Sequence, residues 1–162
     1  MSLNKLRPHI VVLPEDKANR QLANGFMLDQ SVRTTAIQVL PEAGGWMEVL
    51  NRFRSDHIHK MDRYPERFMI LLIDFDGTPN RLTYAKSQVP HHLIDRVFIL
   101  GVRTEPEDLK LANLGSYENI GLAMARDCQG GAGGIWDHDL LRNNCVELER
   151  SRERLVPVLF SE

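Results

Sequence analysis

Apolar residues in this chain fall in short unbroken runs, each closed by proline, glycine or carboxylate side chains and followed by a segment with helical spacing. His9-Ile10-Val11-Val12-Leu13 is the first run and stops at Pro14-Glu15-Asp16. Residues 19–28 carry Leu22 and Phe26 four apart, the spacing of one helix face. Residues 34–40 are strand-like and stop at Pro41-Glu42-Ala43-Gly44-Gly45. Trp46, Val49, Leu50 and Phe53 follow at i, i+3, i+4 and i+7, which predicts an amphipathic helix. Residues 55–66 read as a polar link. Phe68-Met69-Ile70-Leu71-Leu72-Ile73 does not alternate and suits a strand buried on both faces at the centre of a parallel sheet. It ends in Asp74-Phe75-Asp76-Gly77. Residues 96–102 form a fourth strand, closing on Arg103-Thr104-Glu105-Pro106-Glu107. The remainder reads as helical, with Leu141, Cys145, Leu148 and Leu155 on helical spacing.

Alternation of strands and helices predicts an α/β fold: one domain over residues 1–162, with a central parallel sheet of about four strands and helices on both faces. Residues 9–110 form its core and 111–162 a helical extension. Parallel strands deliver their carboxyl ends to one edge, where open α/β sheets bind ligands. The residues arriving there are Glu15, Asp16, Glu42, Asp74, Asp76, Glu105 and Glu107. Extended residues two apart point the same way, so Asp74 and Asp76 suit a hard cation, Mg²⁺ or Mn²⁺. Crowded carboxylates also call for a cation to neutralise them. Val-Leu-Pro-Glu occurs twice, at 12–15 and 39–42, which points to a shared turn chemistry at two strand exits.

Composition narrows the partners. The net charge of −2 over 162 residues gives no global basic field for nucleic acid, leaving only local basic stretches at 60–67 and 81–86. Two cysteines without CxxC spacing fit a reduced chain. The polar start of the chain, and the lack of any apolar run of membrane-spanning length, predict a cytoplasmic protein with no membrane partner. His57, His59, His91 and His92 lie on polar segments and read as surface. The glycine-rich stretch from Gly130 to Gly134 lacks a Walker lysine and reads as a hinge, and Asp137 and Asp139 as helix caps. Arg142, Arg150, Arg152 and Arg154, interspersed with Glu147, Glu149 and Glu153, read as a solvated, ion-paired helix face.

The order strand–Glu15–helix, strand–Gly44-Gly45–helix, strand–Asp74-Phe75-Asp76, strand–Glu105-Pro106-Glu107 resembles the Toprim domain of topoisomerases, bacterial primases, recombination proteins and OLD-family nucleases. The resemblance covers about residues 10–109. It implies a Rossmann-like sheet in which Glu15 matches the glutamate after the first strand, and Asp74 and Asp76 the DxD after the third. It departs from many members in that Asp16, not glycine, follows the glutamate. The Gly-Gly and ExE segments look more like those of the small stand-alone and OLD-like members. The reading that follows is Mg²⁺- or Mn²⁺-dependent phosphodiester hydrolysis on nucleic acid: Glu15, Asp74 and Asp76 are catalytic, and Glu105 or Glu107 is an outer or second-metal ligand. Tyr64, Tyr84 and Tyr117 have no context for a topoisomerase nucleophile. Asp74-Phe75-Asp76-Gly77-Thr78 also resembles the first motif of haloacid-dehalogenase-type phosphatases, with Asp74 as nucleophile, although that family places it on its first strand. A third reading is a non-catalytic module working with a partner such as an ATPase subunit.

Overall fold

The computed structural model describes residues 2–128 and 134–160, so 130–133 of the glycine-rich stretch lie outside the described residues. Four parallel strands in the order β2-β1-β3-β4 form the sheet. They are β1 (His9–Pro14), β2 (Ile37–Val39), β3 (Arg67–Leu72) and β4 (Val97–Leu100). The helices are α1 (Lys17–Phe26), α2 (Trp46–Arg52), α3 (Ile58–Arg63), α4 (Pro79–Ser87), α5 (Pro106–Leu111), α6 (Tyr117–Cys128) and α7 (Cys145–Leu159). Asp16 starts α1 by accepting the Asn19 N–H at 2.9 Å. Thr78 caps α4 and Pro79 occupies its first turn, where a missing N–H costs nothing.

Alternation along the strands makes two apolar layers. Val11, Leu13, Met69, Leu71, Val97 and Ile99 pack against Val49, Leu50, Phe53, Met61 and Ala85 of the α2–α4 side. Ile10, Val12 and Phe98 pack against Ala23 of α1, Ala125 of α6 and Leu155 and Leu159 of α7. The C-terminal helices thus complete one face of the sheet. α1 and α6 cross backbone to backbone: a Cβ on Gly121 would lie 2.0 Å from the Leu22 carbonyl oxygen, and one on Gly25 would lie 2.2 Å from that of Glu118.

Four expectations are corrected. The segment 55–66 is not a link: a π-helical turn (Phe53–His57) and α3 continue α2, because Phe53, His57 and Met61 recur every four residues and are all buried. A histidine in the middle of that stripe hides it from an apolar scan. The second strand shrinks to three residues. β3 alternates buried and half-buried positions, so it is not closed on both faces, although it is central as expected. In α7 the buried stripe is Glu147, Ser151, Leu155 and Leu159; Leu141 precedes the helix and Cys145 is exposed.

Glu147 is the largest departure from a solvated helix face. It is only 2 % exposed and accepts the Ile99 N–H of edge strand β4 at 2.9 Å. Arg150 and Lys86 complete its shell at 2.9 and 3.0 Å. Burial pushes its carboxyl up, but bonds from Arg150, the Ile99 N–H and Lys86 outweigh that and hold it below the ordinary range. One turn earlier, the Asn144 side chain bonds both the N–H and the C=O of Gly101 at 2.9 Å. Side chains therefore satisfy an edge that another strand would otherwise fill. Among the described residues no helix is long and apolar enough to cross a membrane.

Removing the Glu147 carboxylate leaves the buried Ile99 N–H without its acceptor and unpairs two partly exposed cations, at a cost of about 2–3 kcal/mol. Glu147→Ala is expected to destabilise by that order, visible as a fall of roughly ten degrees in Tm. Glu153→Ala, on the exposed side of the same helix, should shift Tm by a degree or two at most. Equal effects in calorimetry would contradict the edge-sealing role.

Candidate functional site

Each strand exit is held by its neighbour's backbone. The Glu15 N–H donates to the Leu72 carbonyl at 2.9 Å, carrying the β1–β3 ladder one residue past the strands. The Glu15 carbonyl accepts the N–H groups of Gly44 and Gly45 at 2.8 and 3.1 Å. Those glycines have φ of +99° and +147°, a backbone that L side chains rarely adopt. The turn brings the backbone of Trp46, first residue of α2, near enough to the Glu15 carboxyl to lower its pKa slightly. Glu15 Oε2 accepts the Asp74 N–H at 2.6 Å. Beyond β3 the chain stays laced to the β4 exit: Ile73, Phe75 and Asp76 donate to Leu100, Val102 and Thr104 at 3.0–3.1 Å.

Asn19, fully buried on α1, ties two carboxylates together. Its Nδ2 donates to Asp16 Oδ1 at 2.9 Å and to Asp74 Oδ1 at 2.8 Å. Arg81 of α4 stands on the other side. Its Nη1 donates to the Asp74 carbonyl at 2.7 Å, its Nη2 lies 3.7 Å from Asp76 Oδ2, and its guanidinium covers the Trp46 ring at 4.5 Å.

Charge accumulates unevenly along this edge. Burial pushes the Asp74 carboxyl from 3.8 to about 8, opposed by the Asn19 bond and reinforced by Glu15, Asp16 and Glu107. Burial likewise raises the Glu15 carboxyl, against the Asp74 N–H. Glu107 raises the fully exposed Glu105. Tyr117, at the start of α6, is pushed up by burial and by Glu107, Asp16 and Asp74, so it is poorly suited to act as a phenolate nucleophile.

Of the residues expected here, Glu15 and Asp74 share one hydrogen-bonded cluster with Asp16. Asp76 sits beside it in a left-handed turn at φ +52°, exposed and paired with Arg81. Glu105 and Glu107 flank Pro106 on the exposed rim, and Glu107 reaches Asp74 through its field. Glu42 is engaged by Arg20 at 2.8 Å, which leaves one of the two Val-Leu-Pro-Glu glutamates in the cluster. Among the described residues no three His, Cys, Asp or Glu side chains are arranged to hold a metal ion. The donor chemistry nonetheless fits a hard cation: Mg²⁺ is typically held by one or two carboxylates and keeps several waters, and Glu15 and Asp74 are such a pair.

The basic stretches separate. Arg81 lies at the acidic edge, but Arg67 opens β3 at the opposite end, buried and donating to His9 Nε2 at 3.0 Å. His57 is buried, which lowers its pKa to about 4, and His59 is exposed; His92 pairs with Asp62 at 2.8 Å. None of these joins the acidic edge. Arg81 belongs to the basic stretch 81–86, whereas Asn19 and Trp46 escape a search for charged motifs, although a polar Asn19 between Ala18 and Leu22 on the apolar face of α1 is a readable signal.

No protein-family model matches the chain, and comparisons with curated proteins and with solved structures return no significant match.

Because Asp74 binds its proton more tightly folded than unfolded, folding takes up a proton between about pH 4 and pH 8, and metal-free stability falls as pH rises through that window. Asp74→Asn removes the titration while keeping an acceptor for Asn19. In chelator, its Tm should gain on the parent protein's as pH is raised from about 5 to about 8.5. Parallel melting curves for the two proteins would contradict the buried, charge-crowded setting of Asp74.

Proposed function

We propose that the acidic edge hydrolyses phosphodiesters of nucleic acid, with Mg²⁺ or Mn²⁺ held by Glu15 and Asp74 in a Toprim-like arrangement. One observation carries the reading. Adjacent parallel strands deliver Glu15 and Asp74 into one cluster, where burial first, and then the charge of Glu15, Asp16 and Glu107, raise Asp74 to about 8. A bound divalent ion would relieve that charge and supply phosphoryl-oxygen stabilisation and an activated water. The chain's own groups have separable roles. Asn19 fixes the rotamer of Asp74. Arg81, anchored on the Asp74 carbonyl, presents positive charge at the edge where a phosphate would approach. Glu15, with its raised carboxyl, would release its proton on binding the ion. Asp76, Glu105 and Glu107 are exposed and positioned to act as outer ligands through water.

The phosphatase alternative gains nothing from the geometry. The Thr104 hydroxyl is engaged by Asp108, and Lys110 lies over the Tyr117 ring at 4.1 Å.

Purified protein is incubated with single- and double-stranded DNA and RNA and with Mg²⁺ or Mn²⁺. Cleavage is expected in the parent and abolished in Glu15→Gln and Asp74→Asn. Asn19→Ala, which loses only an orienting contact, should cost about ten- to a hundredfold in activity or in metal affinity. Cleavage surviving both carboxylate substitutions would place the activity elsewhere. No cleavage together with no metal-induced rise in Tm would replace the hydrolase with a non-catalytic module that depends on a protein partner.

A further inference from the structure

The Glu15–Asp74 pair is flanked by aromatic surface. Trp46 begins α2 directly after the Gly44-Gly45 turn, whose N–H groups bond the Glu15 carbonyl at 2.8 and 3.1 Å. Its indole meets the Tyr84 ring of α4 edge to face, with centroids 5.8 Å apart and planes at 80°. The Arg81 guanidinium lies 4.5 Å from the indole centroid while donating to the Asp74 carbonyl. Trp46 leans on the core, Arg81 is 16 % exposed at its side chain, and Tyr84 is 41 % exposed. The result is a cluster packed on the core from beneath, exposed chiefly at Tyr84 and tied through Arg81 to the Asp74 backbone.

We propose that Trp46, Arg81 and Tyr84 form a stacking surface for an unpaired nucleobase of single-stranded nucleic acid, whose adjoining phosphodiester lies at the Glu15–Asp74 pair. This deepens the hydrolase reading and rests on it for the position of the phosphate. Every base offers a π face, and aromatic and guanidinium groups both stack on it. Bases inside a duplex have their faces covered by their neighbours, so the surface selects unpaired strands. A bound cationic ligand is disfavoured because Arg81 already occupies a face of the indole. The chain has no global positive charge to hold a strand by its phosphates alone, and stacking supplies affinity that does not need it.

The chain has two tryptophans, so Trp136→Phe leaves Trp46 as the sole indole reporter. With Ca²⁺ in place of Mg²⁺, oligothymidylate should quench Trp46 emission, whereas an abasic oligomer of the same length should not. By fluorescence anisotropy in the otherwise unchanged chain, Tyr84→Ala should weaken oligothymidylate binding on the order of tenfold, and Tyr84→Phe should restore it. Equal quenching by the abasic oligomer, or unchanged affinity in Tyr84→Ala, would overturn the stacking surface. Cleavage with no Trp46 response would overturn the surface and leave the hydrolase standing. A base-dependent Trp46 response without cleavage would support the surface and remove the hydrolase. No binding and no cleavage would remove both.

Discussion

Six consecutive residues of β1 pair with six of β3, from His9 opposite Arg67 to Pro14 opposite Leu72, and that register decides where the carboxylates go. It puts the Glu15 side chain within reach of the Asp74 N–H, and at the other end it puts the buried Arg67 side chain on the neutral His9 ring. A slip of one residue would send each strand's core-facing side chains to the opposite face and separate the acidic pair. Apolar packing, complete on one face of β3 and partial on the other, holds the register, so the stability of the core and the geometry of the edge are one problem. β2 and β4 then add to either side of this central pair, and their exits supply the glycine turn and the Glu105–Glu107 rim.

The acidic edge keeps its carboxyl groups close together through a division of labour among uncharged and cationic neighbours. Asn19 shares one amide between Asp16 and Asp74, which lets two carboxylates stand close without facing each other directly. Arg81 approaches from the solvent side and touches the Asp74 backbone, so its charge is close to the cluster without neutralising it. Full neutralisation by a buried arginine would give a quieter and more stable edge. The observed arrangement instead leaves carboxyl groups that resist ionising where α/β sheets bind ligands, at a local cost in stability as pH rises.

Much of this was legible in the sequence where apolar runs had sharp ends. The four strands, their parallel order and the acidic residues at their exits follow from runs such as Phe68 to Ile73 closing on Asp74. Elements whose buried positions are polar were less legible. His57 sits within the Phe53–Met61 stripe, so a continuous helical rod read as a link. Glu147 and Ser151 sit within the α7 stripe, so a helix sealing the sheet read as a solvated face. In both, a partner distant in sequence makes burial tolerable: Arg150, Lys86 and the Ile99 N–H do this for Glu147, and no local pattern encodes them together. The site was readable to the same degree. Glu15, Asp74 and Asp76 announce themselves by charge at a strand end, whereas Asn19, Arg81 and Trp46 matter only through contacts that the fold creates.

The sealing of β4 by Glu147 and Asn144 has a consequence for assembly. Sheets most easily acquire partners by strand addition, which needs a free row of N–H and C=O groups along an outer strand. On β4 the Ile99 and Gly101 donors are already taken by side chains of the α7 region, and Arg150 occupies the Val97 carbonyl at 2.6 Å. At the opposite edge, β2 pairs with β1 over only three residues, too short a template for a stable foreign strand. Growth of this sheet into ribbons or fibres is therefore blocked at its outset. A protein that recognises this chain must read its side-chain surfaces rather than extend its backbone ladder.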